Sequence, residues 1–150
     1  MEYSFITPDL FIGTTPATSD YDHLRELGVN LVINMRVEFR PRKDLHSSPI
    51  SLLWLPNFDS PIIPISIKSL QRGAKAALET IQNGGKVYAH CAGGVHRGVT
   101  MGAAILIAQG HTAQSAMHLI KERRPKADPF AFYIHPRILK FAQLWNELKT

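Results

Sequence analysis

The sequence predicts an α/β fold with a largely parallel central sheet flanked by helices. Two observations carry this: short continuous apolar runs with the length of buried strands, and capped, helix-length segments alternating with them. Phe5 to Gly13 mixes apolar residues with Thr and Pro and reads as one or two short strands. Ser19 or Asp20 caps a helix to about Leu27, and Gly28 ends it. Leu31-Val32-Ile33 is a buried strand, and Leu52-Leu53-Trp54-Leu55 is another that Pro56 is expected to stop. Ser66 caps a long helix, Ile67 to Gln82, closed by Asn83-Gly84-Gly85. Lys86 to His90 is the next strand, followed by a glycine-bearing loop and a helix from about Gly98 to Gln109. Thr112 caps a helix to about Arg124, which Pro125 ends, and the last helix spans about Pro136 to Leu148.

The 150 residues suit one domain and one core. At 45% hydrophobic and 19% charged, the chain is not disordered overall. No apolar run has the length of a membrane helix, and no secretory leader is visible at Met1-Glu2-Tyr3-Ser4, so a cytoplasmic location is expected. One cysteine, Cys91, excludes an intrachain disulfide. The net charge of +5 favours anionic partners without specifying nucleic acid. Two basic groups, Arg36/Arg40/Arg42/Lys43 and Lys121/Arg123/Arg124/Lys126, read first as solvated faces, with a phosphate-bearing ligand as the alternative.

In sheets of this kind ligands bind at the carboxyl ends of the strands, which directs attention to the loop after Val87 to Ala89. A strand, a glycine-bearing loop and a helix N-terminus together make an anion site. The loop is no Walker sequence, because Val99 stands where lysine is required, and Gly-x-Gly-x-x-Gly is absent. What it contains is His90, Cys91, five residues (Ala92, Gly93, Gly94, Val95, His96) and Arg97. An anion nest and a helix N-terminus both favour a thiolate at Cys91. Arg97 can grip two phosphate oxygens with its planar fork. A nucleophile inside a phosphate cradle implies attack on phosphorus and a covalent cysteinyl-phosphate.

His90-Cys91-Ala92-Gly93-Gly94-Val95-His96-Arg97 resembles the His-Cys-x-x-x-x-x-Arg signature of cysteine-based protein tyrosine phosphatases. The chain's length resembles the compact dual-specificity branch, as do Phe11-Ile12-Gly13, Leu31-Val32-Ile33-Asn34 and Lys121-Glu122-Arg123-Arg124-Pro125. The resemblance implies metal-independent phosphomonoester hydrolysis on phosphotyrosine, with phosphoserine or phosphothreonine as further substrates, and no cofactor. Cys91 would be the nucleophile, and Arg97 with the amides of Ala92 to Arg97 would bind the phosphoryl group. His90 would support the thiolate through the backbone near Cys91, and His96 would line the rim or meet a second anionic group. A general acid is also needed. Asp59 lies just past the Leu52 to Leu55 strand, 32 residues before Cys91, about where the family carries its acid. Asp128 is the second candidate.

One position departs from the pattern. Family members usually carry Ser or Thr after the arginine, where its hydroxyl assists sulfur departure, and here the residue is Gly98. A helix turns about 200° over two residues, so Thr100 cannot simply substitute. Slow breakdown of the phosphoenzyme is therefore expected. A slow or inactive phosphate-binding module recognising phosphorylated partners is the alternative. An inositol phosphate or pyrophosphate phosphatase is another, since His96 before the arginine occurs in some such relatives. Seven histidines form no close i, i+4 pair, so no metal site is expected. Rhodanese-like sulfur transfer fits less well, because its loop is shorter and it lacks an acid loop.

Overall fold

The computed structural model describes residues 1–149. The strands are β1 (Tyr3–Thr7), β2 (Leu10–Gly13), β3 (Val29–Arg36), β4 (Ser51–Asn57) and β5 (Lys86–His90). The helices are α1 (Tyr21–Glu26), α2 (Ile67–Gln82), α3 (Arg97–Ala108), α4 (Ala113–Arg123) and α5 (His135–Lys149). The strands make one sheet in the order β1-β2-β5-β3-β4. Only β1 runs antiparallel to its neighbour; β2, β5, β3 and β4 are mutually parallel. The expected α/β architecture is thus present, with an antiparallel strand added at one edge.

The two faces of the sheet differ in size. Leu31, Ile33 and Met35 of β3 point into the larger core, shared with Leu70, Ala74 and Ala77 of α2, with α3, and with Phe141 and Trp145 of α5. Val32 joins Phe11, Tyr21, Leu24 and Tyr88 in a smaller core under α1. Alternation along the strand produces this division. All twelve residues of α3 are buried. That explains why Val99 to Ala108 carries no charged side chain on any face, its one hydroxyl being that of Thr100.

Local chemistry sets the element ends largely as expected. The Ser66 hydroxyl accepts from the Ser69 N–H at 3.2 Å, and Thr112 does the same for Ser115 at 3.1 Å. Asp20 differs: its carboxylate accepts from the Ala17 N–H at 2.8 Å, closing a 3₁₀ turn, and does not cap α1. β4 also runs through Pro56, where the sequence suggested a stop. It is an edge strand, paired only with β3, so a residue lacking an N–H is tolerated on its open side.

Phe141 is fully buried and stacks on Trp145, with ring centroids 5.5 Å apart. Phe141→Ala should cost about 3–5 kcal/mol of stability, against about 1 kcal/mol for loss of the cap in Ser66→Ala. Urea unfolding of the two variants beside the wild type checks this ordering.

Candidate active site

Because β2, β5, β3 and β4 are parallel, the segments after them emerge at one end of the sheet. Thr15 comes from the first, Cys91 to His96 from the second, Glu38 from the third and Asp59 from the fourth. The sequence-selected residues of the glycine loop therefore stand between β5 and the N-terminus of α3.

Cys91 follows β5 directly and is 3% exposed. The Thr15 hydroxyl donates to its carbonyl at 3.1 Å, and Arg36 Nη1 donates to the same Thr15 hydroxyl at 2.8 Å. Behind the loop lies Arg124, with no exposure at all. Its Nε donates to the Gly94 carbonyl at 2.8 Å and its Nη2 to the Gly93 carbonyl at 3.2 Å. Carbonyl and N–H of a trans peptide point in opposite directions. Drawing these two carbonyls back therefore turns the N–H groups of Gly94 and Val95 to the other side. None of the N–H groups of Ala92 to Val95 donates to another described group. This is an anion nest built from backbone, with the α3 N-terminus beside it.

Gly94 has φ +65°, and a Cβ there would stand 2.5 Å from Arg124 Nη2 and 2.9 Å from the Gly13 carbonyl oxygen. Neither conformation nor space admits a side chain. Arg124 fell in a group expected to be a solvated face; for this residue that reading is wrong. A second fork of Arg124 meets Glu2, at 2.9 and 2.7 Å.

Arg97 is 5% exposed. Its Nη1 and Nη2 donate to Glu38 at 2.7 and 3.0 Å, and Nη1 also reaches the Asn57 carbonyl at 2.9 Å. Its Nε has no partner among the described residues. Burial works against the guanidinium charge, but Glu38 and the nearby Cys91 sulfur outweigh it, so the Arg97 pKa is raised. Hydrogen bonding to Arg97 holds the Glu38 carboxyl at about 2, and Arg124 does the same to Glu2. Arg97 is thus pre-set from one side, leaving Nε for an anion on the other.

Asp59 stands over the loop with both oxygens engaged. Oδ1 accepts from the Tyr133 hydroxyl at 2.7 Å, and Oδ2 lies 3.0 Å from His96 Nδ1. Asp128, the second acid candidate, meets the other ring nitrogen of His96 at 3.3 Å. His90 is buried, and burial pushes its ring down to about 4, so it is neutral; its Nδ1 has no partner among the described residues. The Thr100 hydroxyl donates to the His96 carbonyl at 2.7 Å and is committed there. A Cβ on Gly98 would stand 3.3 Å from the Cys91 amide nitrogen, so α3 starts close against the loop.

Cys91, Arg97 and Asp59 lie around one loop: Asp59 meets His96, and Cys91 and Asp59 both stand close enough to Arg97 to favour its charge. Sequence reasoning missed Glu38, Arg124 and Tyr133. Glu38 left one signal: it is an acid set between Arg36 and Arg40 just past a strand end. Tyr133 left none. Among the described residues no group of His, Cys, Asp and Glu is arranged to hold a metal ion, and no helix is long and apolar enough to cross a membrane.

Comparison with known proteins gives the family of this fold. The family model for the dual specificity phosphatase catalytic domain matches residues 10–139. Dual specificity phosphatase 28 of Mus musculus is 26% identical over 128 residues, covering 85% of this chain and 76% of that protein. Other curated relatives are longer, and the chain spans about a third of their length or less. The crystal structure of human DUSP28 superposes with a TM-score of 0.84 at 22% identity, over 97% of this chain and 99% of that one. The structure of PTPMT1 in complex with PI(5)P gives a TM-score of 0.85 at 20% identity, over 99% of each chain. At these identities the two structures establish likeness of fold.

Glu2 and Glu38 are both held below the ordinary 4.5. Their contribution to stability is therefore in full force above about pH 4.5 and is lost as pH falls towards 2. Glu38→Gln should flatten this acid loss of stability, read as melting temperature against pH. It should also weaken inhibition by inorganic phosphate at neutral pH, because Arg97 is no longer aimed.

Proposed function

The chain belongs to the dual-specificity phosphatase family and is a cysteine-dependent phosphatase, and from that premise we propose that it hydrolyses phosphotyrosine and phosphoserine or phosphothreonine in proteins through a cysteinyl-phosphate at Cys91. The observation that carries the reading is the loop itself: a buried cysteine, backbone N–H groups without partners among the described residues and a guanidinium with its Nε unpartnered stand on one turn of chain.

In the first step the phosphoryl oxygens take the N–H groups of Ala92 to Val95 and the free Nε of Arg97. The Cys91 sulfur attacks phosphorus, the bond to the leaving oxygen breaks, and Asp59 supplies that oxygen with a proton. The donors are already in place, so charge spreading onto the equatorial oxygens is stabilised without reorganisation. In the second step Asp59 takes a proton from water, which attacks phosphorus and releases the sulfur. Neutral His90 adds no charge behind the sulfur.

A protein substrate is supported by the surroundings. The loop interior, Ala92 to His96, carries no lysine or arginine to receive additional phosphates. The segments bearing Asp59 and Tyr133 also expose Phe58, Ile62, Ile63 and Phe132, apolar surface suited to a peptide or an aromatic ring. The neighbour solved with PI(5)P shares the fold, and this does not extend its ligand to the present chain.

A second reading, slow turnover with retention of the phosphorylated partner, is favoured by one feature. Gly98 has no hydroxyl, and the Thr100 hydroxyl is bonded elsewhere. Sulfur departure therefore lacks side-chain assistance from the start of α3.

Wild-type protein should hydrolyse para-nitrophenyl phosphate in excess chelator, and Cys91→Ser should not. Asp59→Asn should reduce kcat/KM for phenyl phosphate by about 10²–10⁴-fold, and for the better leaving group, para-nitrophenolate, much less. Chelator-sensitive turnover, or full activity in Cys91→Ser, would overturn the proposal. Rapid mixing should show a burst of para-nitrophenolate approaching one equivalent per active site before the steady state. Linear release from time zero would remove the slow second step.

A further inference from the structure

His96 is held by two carboxylates at once. Nδ1 lies 3.0 Å from Asp59 Oδ2, and Nε2 lies 3.3 Å from Asp128 Oδ2. The Tyr133 hydroxyl closes a triangle, 2.7 Å from Asp59 Oδ1 and 3.1 Å from His96 Nδ1. The three partners come from separate parts of the fold: the segment after β4, the segment after α4 and the residues just before α5. The Asp128 N–H donates to the Val95 carbonyl at 3.0 Å, which fixes that segment to the catalytic loop.

Donor counting restricts where protons can sit. An imidazolium has two N–H donors and satisfies both carboxylates. A neutral imidazole has one, and its other nitrogen then faces a carboxylate oxygen lone pair to lone pair. That contact becomes favourable if the carboxyl carries a proton, or is relieved if the Tyr133 hydroxyl, 3.1 Å from Nδ1, turns to donate there. If Nε2–H serves Asp128, Nδ1 accepts from a protonated Asp59. Wherever Nδ1 pairs with Asp59 rather than with the Tyr133 hydroxyl, Asp59 and His96 hold one shared proton. Tyr133 does not compete for it: burial and hydrogen bonding to Asp59 push its hydroxyl up to about 12, so it stays a donor. Beyond this ring of groups the nearby charges are Arg97 and the Cys91 sulfur.

We propose that the proton donor of this phosphatase is the Asp59–His96 pair acting as a relay, with Asp128 and Tyr133 as positioning residues. The inference rests on Asp59 being the general acid, as read above. When sulfur attacks, the phosphorus–oxygen bond to the leaving group breaks and that oxygen takes the proton from Asp59. Nδ1–H of His96 replaces it, so the donor pair loses one proton and the leaving group gains one. In the second step Asp59 takes a proton from the attacking water and returns one to Nδ1, and the sulfur leaves as thiolate. Because Nδ1 faces Asp59 at 3.0 Å and Nε2 faces Asp128 at 3.3 Å, a proton given up by Asp59 is replaced from within the pair rather than from solvent.

The test is kcat/KM against pH for phenyl phosphate, which needs a proton on its leaving group, with para-nitrophenyl phosphate as the reference. His96→Asn should move the alkaline limb for phenyl phosphate down by at least about one pH unit relative to the limb for the reference substrate in the same variant, so that a loss common to both substrates cancels. Asp128→Asn, which lies outside the loop, should move the limb in the same direction. Tyr133→Phe should lower kcat for phenyl phosphate. An alkaline limb unmoved in both His96→Asn and Asp128→Asn overturns the relay.

Asp59→Asn separates the two levels. If it leaves the ratio of the two substrates at the wild-type value, Asp59 is not the acid and the underlying reading fails together with the relay. If it changes that ratio while the His96 and Asp128 variants do not, the relay alone fails. Should His96→Asn not fold, ring signals of His96 followed by NMR across pH, in wild type and Asp59→Asn, give an independent answer. The relay requires the His96 titration to fall by about one unit when Asp59 loses its charge. An unchanged titration overturns it.

Discussion

Two buried guanidinium groups set the terms for everything at the catalytic end of this molecule. A loop that presents its N–H groups inward must turn its carbonyls outward, and buried carbonyls need donors. Arg124 supplies them from behind, at Gly93 and Gly94. Arg97 faces the other way, towards the space the loop encloses. Each positive charge is in turn met by a half-exposed carboxylate, Glu2 for one and Glu38 for the other. The desolvation cost of the arginines is thus offset without placing a fully buried anion beside the site, which would repel a phosphate.

The same logic explains the glycines of the loop by their neighbours rather than by flexibility. Arg124 and the Gly13 carbonyl leave no room for a Cβ at Gly94. At Gly98 the close neighbours are the backbones of His90 and Cys91, 3.3 Å from where a Cβ would stand. A residue with a hydroxyl at that position needs α3 to stand off slightly from β5. The missing hydroxyl and the tight seating of this helix are therefore one structural fact.

Much of the fold was legible because its signals are local. Ser66 and Thr112 announce their helices by capping, and the apolar runs at Leu31 and Val87 are buried strands on both faces. The cysteine and arginine of the loop were legible too, because they sit a few residues apart on one turn of chain. What the sequence hid depends on pairs far apart. Glu38 and Arg97 are separated by 59 residues, and Tyr133 and Asp59 by 74. Composition placed Arg124 among surface charges, since nothing in Lys121 to Lys126 distinguishes the one side chain that turns inward. Pro56 misled for a related reason: whether a proline ends a strand depends on whether a neighbour needs its N–H, which is a property of the sheet.

The tie between Arg124 and Glu2 spans 122 residues and joins the first strand's approach to the end of α4 through the catalytic loop. Contacts of such sequence separation carry the largest loop-closure entropy and are not made by local structure formation. The nest is therefore completed only when the first residues and the end of α4 have docked against each other. Along a refolding time course, helical signal and collapse should precede the capacity to bind phosphate. Loss of the Glu2 carboxylate alone would leave the buried Arg124 charge without its fork partner directly behind the nest.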